Sequence, residues 1–261
     1  VYKRQDNVYI VKGDRQLLKE LKKSLSKYTE YIEPNYIYST NAIIFDSGDD
    51  VPNDPMYRKQ WNLRSINIES AWNETKGDGI TVAVIDTGVS RVPDLQKTKF
   101  VPGYDFVDDR TLVTDDNGHG THVAGTIAQA TNNNYGVAGI AYEASIMPLK
   151  VLSANGGGTV SDIAESITFA ADNGADIINM SLGGSGESQI MKEAINYAHN
   201  KGVVIVAAVG NANQNSASYP ARYPHVFGVS ATDPTGEKAP YSNFGAGVDI
   251  SAPGGSTSDK N

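Results

Sequence analysis

The sequence predicts an α/β protein with a doubly wound, mostly parallel sheet in a three-layer α/β/α arrangement. Three observations carry this: short Val- and Ile-rich runs recur along the chain, helix-period patterns separate them, and Gly or capping residues mark the joints.

The strand candidates are residues 80–85, 146–152, 177–182, 203–209 and 226–230, whose continuous apolar runs suit strands buried on both faces. Between them, Thr159-Val160-Ser161-Asp162 suits a capping box. Ile163, Ile167, Ala170 and Ala171 then share a face, and Gly174 ends the helix. In the next helix Ile190, Ala194, Tyr197 and Ala198 are expected on one face, with Gly202 as the stop. In such sheets ligands sit off the carboxyl ends of the strands. A smaller α+β unit precedes this domain: a strand at 8–12, a basic helix with Leu17, Leu21 and Leu25 in one stripe, and a strand at 31–38. Its core is thin. Asp46-Ser47-Gly48-Asp49-Asp50, followed by Pro52, reads as a linker over 46–53, so the large domain is expected from 54 to 261.

Composition narrows the function. Lys and Arg total 22 against 30 Asp and Glu, a net charge of −8, and no basic run stands out, which argues against nucleic acid or an anionic membrane as partner. The absence of cysteine excludes a thiol nucleophile and a thiolate zinc site. No apolar run approaches the length of a membrane span.

Three strand ends carry chemistry. Asp86 closes the apolar run 80–85 and precedes Thr87-Gly88, placing a carboxylate at the end of a buried strand. A turn-forming Asp is the plain alternative. An aspartic protease is another, but that chemistry needs two such motifs in an all-β setting, and one is present. Next, Asp115-Asp116-Asn117-Gly118-His119-Gly120-Thr121-His122 leads from a polar turn into a helix of small residues. At the helix N-terminus the dipole disfavours a charged His119 and helps keep a neutral base, whereas a carboxylate nearby would stabilise the charged form once a proton arrives. A zinc site using His119 and His122 is the competitor, without a His-Glu-x-x-His pattern to support it. Finally, the run 203–209 ends in Gly210-Asn211, either a left-handed turn or an amide that donates to a developing oxyanion. Ser181-Leu182-Gly183-Gly184 is an ordinary turn or a place where an extended peptide approaches the backbone.

Together these segments resemble the subtilisin-like serine proteases, most closely their thermitase-like, calcium-dependent branch, from about residue 52 to 261. The resemblance implies that Asp86 orients, His119 serves as general base and then acid, and Asn211 donates to the oxyanion. It implies that Gly156, Gly157, Gly158 and Ser181, Leu182, Gly183 flank a substrate strand. The resemblance implies further that Ala207, Ala208 and Gly210 form one wall of the S1 pocket. It also implies a structural calcium held by Asp54, Asp94 and Asn133 with backbone oxygens of Thr131, Tyr135 and Val137. A second calcium site at Asp105 is disfavoured by Arg110. Residues 6–45 resemble part of the family's propeptide, with Glu33-Pro34-Asn35-Tyr36 near its end, and the propeptide is expected to act as intramolecular inhibitor. A secreted monomer cleaving protein or peptide substrates is the implied biology.

Two departures shape the expectation. The family's Gly-Thr-Ser nucleophile motif does not occur in residues 1–261, and Ser251, Ser256 and Ser258 lie outside any such motif. The chain is therefore read as a fragment of a serine endopeptidase and expected to be inactive as given; the alternative is an inactive binding or regulatory protein of the same fold. Residues 1–5, Val-Tyr-Lys-Arg-Gln, are spelled by GTG TAT AAG AGA CAG, a transposon end used in sequencing libraries, and are read as a cloning or sequencing scar.

Overall fold

The computed structural model describes residues 2–5, 8–10, 14–29, 32 and 51–256. Its contacts divide the chain into two units, Val1–Asp49 and Asp50–Asn261. In the first, β1 (Tyr2–Gln5) pairs antiparallel with β2 (Val8–Ile10). There α1 (Arg15–Ser24) begins at Asp14, whose side chain accepts from the N–H of Gln16 at 3.0 Å and Leu17 at 2.9 Å. Apart from Ile32, the expected strand at 31–38 lies outside the described residues, as does Glu33-Pro34-Asn35-Tyr36; the linker does so except for residues 51–53.

The second unit starts with two short helices that sequence reading passed over, α2 (Trp61–Ser65) and α3 (Ile68–Glu74). Their stripe is too short for periodicity to register, yet Leu63, Ile68 and Trp72 are buried with Tyr57 in a small core of their own. Thereafter come β3 (Thr81–Asp86), β4 (Lys99–Phe100), β5 (Tyr104–Asp105), α4 (His119–Ala128), β6 (Ser145–Lys150), α5 (Val160–Asp172), β7 (Ile177–Met180), α6 (Gln189–Asn200), β8 (Val204–Ala208), β9 (Val226–Thr232) and β10 (Ile250–Pro253). The strands form one parallel sheet in the order β10-β9-β8-β7-β3-β6-β4, with β5 also on β6. From β3 the chain moves to β6 on one side, then crosses to β7, β8, β9 and β10 on the other. A reversal of this kind opens a crevice at the carboxyl end of β3, where Asp86 stands.

Helices cover the two faces unequally. Ala83, Ile85, Ile178 and Ile205 pack under α5 and α6, while Val82, Val84 and Ile146 pack against α4. The register carries the α4 side across the sheet through Val82↔Ile177↔Val204 and Val206↔Phe227 to Val229↔Ile250. There Val204, Phe227 and Ile250 are 44%, 53% and 59% exposed. The expectation that 203–209 and 226–230 are buried on both faces is thus corrected: among the described residues, one face of β8 and β9 lacks a covering helix. A second correction concerns α6. Its buried stripe is Met191, Ala194, Ile195 and Ala198, whereas Ile190 and Tyr197 stand at its exposed flanks, 51% and 40% exposed. Tyr197 uses its position to donate to Asp172 at the end of α5. At α5 itself Thr159 caps as expected, accepting from the N–H of Asp162 at 3.2 Å.

Candidate active site

Asp86 ends β3 fully buried, with Oδ1 taking the N–H of Thr87 and the Nδ1 of His119, each at 2.7 Å. Its Oδ2 is buried without a hydrogen-bond partner among the described residues. His119 opens α4, and the N-cap before it is Gly118, which has no side chain to cap with. Neighbours supply the caps instead. The N–H of His119 goes to Asn117 Oδ1 at 3.1 Å, that of Gly120 to Thr87 Oγ1 at 2.9 Å, and that of Thr121 to Asp115 Oδ2 at 2.9 Å. Gly120 must be glycine, because a Cβ would meet the Gly88 carbonyl oxygen at 2.2 Å.

Burial alone would raise the Asp115 carboxyl. The N–H of Gly118, the Thr121 hydroxyl and the N–H groups of Asn117 and Thr121 outweigh it and hold it at about 2. Since its folded value lies below the ordinary 3.8, its contribution is present above pH 4 and lost as pH falls toward 2. After discounting for solvent screening that contribution is about 1 kcal/mol. The stability gap between the chain and Asp115→Asn, read by urea unfolding, is therefore expected to narrow between pH 4 and 2; a constant gap would refute this.

Asn211 follows β8 at Val209-Gly210. Its side chain is exposed and has no hydrogen-bond partner among the described residues, leaving the amide available as a donor. The turn beneath it is fixed by Asn243, 1% exposed, which sequence reading missed. Asn243 Oδ1 accepts from the N–H of Ala212 and Gln214, both at 3.0 Å, and Nδ2 donates to the Val209 carbonyl at 2.9 Å. Gly210 leaves room for this clamp, since a Cβ there would meet Asn243 Nδ2 at 2.6 Å. Asn243→Ala takes the acceptor from the N–H groups of Ala212 and Gln214, while the Val209 carbonyl keeps the N–H of Ser218 at 2.8 Å, and is expected to cost about 1–2 kcal/mol by chemical denaturation; an unchanged stability would be the wrong result.

A cleft of about 550 Å³ brings His119 together with Gly156, Gly157, Gly158, Ser181, Leu182 and Gly183 over a floor that includes Met191, Tyr219 and Tyr223. Among the described residues, the main chain of Gly158, Leu182 and Gly183 takes no hydrogen-bond partner, as a surface open to a further strand requires. Ala207, Ala208, Gly210 and Asn211 do not line this cleft, and Ala207 is 2% exposed within the core under α5 and α6.

Away from the cleft, Asp54, Asp94 and Asn133 meet around the 132–137 loop. Asp54 accepts from the N–H of Asn132 at 2.9 Å and of Asn133 at 3.2 Å, and Asp94 from Asn133 Nδ2 at 2.8 Å and the N–H of Val137 at 3.3 Å. Thr131 joins the same loop, its hydroxyl taking the N–H of Gly139, and the N–H of Tyr135 binds Asn133 Oδ1. Asp54 and Asp94 bring carboxylate oxygens to this loop, the donor type a hard cation takes, while the Asn133 amide turns Nδ2 to Asp94 and Oδ1 to the N–H of Tyr135. Asp105 is instead neutralised by Arg110 Nε at 3.1 Å and accepts from the N–H of Val107 and Asp108. No group of three or more His, Cys, Asp or Glu able to hold a metal occurs among the described residues.

Comparison with known proteins follows the same lines. A model of the subtilase family, peptidase S8, matches residues 77–261. Thermitase of Thermoactinomyces vulgaris is 45% identical over 205 residues, covering 78% of this chain and 73% of its own. A thermophilic serine proteinase of Bacillus sp. strain AK1 is 44% identical over 228 residues, covering 86% of this chain and 55% of its own. A solved protease from Pseudoalteromonas arctica superposes with a TM-score of 0.74 at 38% identity, over 79% of this chain and 73% of that one. The chain thus spans about half of one of these relatives and about three quarters of the others.

Proposed function

The chain belongs to the subtilase family of serine proteases and has its subtilisin-like α/β fold; from that premise we propose that it carries the general base, its orienting acid and the oxyanion donor of an endopeptidase. The 2.7 Å bond between His119 Nδ1 and the buried Asp86 is the observation that carries the reading. In it Asp86 fixes the tautomer, leaving Nε2 to take the proton of a serine hydroxyl as that oxygen attacks a peptide carbonyl. Asn211 donates to the oxyanion, and His119 returns the proton to the departing amine. Water then repeats the sequence on the acyl-enzyme. The substrate lies extended between Gly156–Gly158 and Ser181–Gly183, adding a strand. Because no Gly-Thr-Ser occurs in residues 1–261, the reading assigns the nucleophile to sequence following residue 261. A serine-directed covalent inhibitor tests this: it is expected to label the full-length protein, and labelling that persists undiminished in His119→Ala would reject the role of the pair.

Asp54, Asp94 and Asn133, with carbonyls of Thr131, Tyr135 and Val137, would hold a calcium ion, which would tie residues 54, 94 and 131–137 together. Chelation is expected to lower the melting temperature by about 5–10 °C, as removal of a ligand held well above its dissociation constant should. An unchanged melting temperature in chelator counts against the site. Residues 6–45 are assigned to propeptide sequence, cut between about residues 38 and 54 in a secreted, mature enzyme; N-terminal sequencing of active protein finding residues before 38 would reject this.

A further inference from the structure

We propose that Asp115 is the positioning residue of the Asp86–His119 pair, its carboxylate clasping the strand end that carries Asp86 to the helix start that carries His119. The inference rests on the reading of that pair as catalytic. One carboxylate gathers groups from both sides. Oδ1 accepts from Thr87 Oγ1 at 2.9 Å, next in chain to Asp86, and from the N–H of Asn117 at 3.0 Å and Gly118 at 2.8 Å, just before His119. Oδ2 accepts from the N–H of Thr121 at 2.9 Å and from its hydroxyl at 2.5 Å, just after His119. Thr87 Oγ1 closes the ring by accepting from the N–H of Gly120 at 2.9 Å.

A second arm runs beside the first. Lys150, 1% exposed, pairs in register with Asp86 and donates to the Thr87 carbonyl and the Leu152 carbonyl, both at 2.8 Å, and to Asp116 at 2.7 Å. Thr87 is thus gripped through its hydroxyl by Asp115 and through its carbonyl by Lys150. Only an ionised carboxylate suits Asp115, since every partner is a donor and an amide would turn an NH₂ toward donors. The clasp leaves the Asp86 carboxylate and the His119 ring one relative placement.

The test uses the full-length protein, uniformly ¹⁵N-labelled, and reads the imidazole and the backbone rather than turnover. Proton NMR is expected to show a low-field resonance for the proton between His119 Nδ1 and Asp86, with imidazole nitrogen shifts of the Nδ1–H tautomer. Asp115→Asn should lose the resonance and mix the tautomers, while amide resonances of β3, β6 and β7 stay in place. Thr87→Val should lose it too, and Thr87→Ser, which keeps the hydroxyl, should retain it. Persistence of the resonance in Asp115→Asn overturns the proposal. If Asp115→Asn does not fold, the Thr87 pair decides: loss in Val with retention in Ser supports the clasp, and any other pattern overturns it. Absence of the resonance from the unchanged chain refutes the Asp86–His119 bond and the clasp together. In the full-length protein Asp115→Asn should lower kcat by about 10- to 100-fold at unchanged KM, the cost of a misplacement near 1 Å. An unchanged kcat with the resonance lost would refute the catalytic role of the pair and leave the clasp standing.

Discussion

His119→Ala in the full-length protein is expected to lower kcat by about a millionfold and Asp86→Ala by about 10⁴-fold, magnitudes taken from the corresponding substitutions in a subtilisin. The order follows from the geometry. In the proposed mechanism His119 moves the proton, so its loss would leave the nucleophile protonated at neutral pH. Asp86 acts through His119, via the 2.7 Å bond to Nδ1, so its loss leaves an imidazole that still accepts a proton, though in mixed tautomers. The double variant should be no worse than His119→Ala alone, because the groups act as one unit. Removing the amide of Asn211 should cost about 10²–10³-fold, again a subtilisin magnitude, and should fall on kcat rather than KM. Chromogenic peptide kinetics on the purified variants measures all of this. More than about one percent of activity remaining in His119→Ala would mean that the pair is not the proton-transfer machinery.

The pair was legible in the sequence because each partner stands where a periodic element begins or ends. Asp86 terminates an apolar run, and His119 starts a helix after polar turn residues. The groups that hold the pair were not legible. Asp115 is 29 positions from Asp86 in a polar loop, and nothing in that loop's composition says its carboxylate accepts five hydrogen bonds. Lys150 reads as a lone charged residue inside the apolar run 146–152. Its burial depends on two carbonyls and an acid that the fold alone brings together. Asn243 acts on residues 209–214 from about thirty positions away, an Asn in a run that periodicity cannot assign. The continuous apolar runs located β8 and β9 but not that one face of each is exposed, since an apolar run is the same whether a helix covers it or not. For α6 the stripe was displaced: Ile190 and Tyr197 satisfy the spacing, but Met191 and Ile195 lie nearer the sheet.

The 261-residue chain alone is expected to turn over no peptide substrate above background and to take no serine-directed label, whereas the chain continued through a Gly-Thr-Ser segment should do both. Among the described residues no hydroxyl hydrogen-bonds the His119 ring; the nearest thing to a candidate by sequence, Ser251, is tied to Ser230 Oγ at 2.6 Å on paired strands. Without an activated hydroxyl the pair can only polarise water. The oxyanion then has Asn211 without the N–H that the nucleophile's own residue would contribute. The sheet's bare face adds a physical cost. Phe227, Val204 and Ile250 present apolar surface on adjoining strands, and contiguous exposure of this sort favours self-association and dye binding. The chain alone should therefore bind a hydrophobic fluorescent dye and sediment above monomer mass, with Phe227→Lys reducing both. Covalent labelling of Ser251, or turnover by the 261-residue chain that His119→Ala abolishes, would show that the nucleophile lies within these residues, and the assignment of the serine to later sequence would fall.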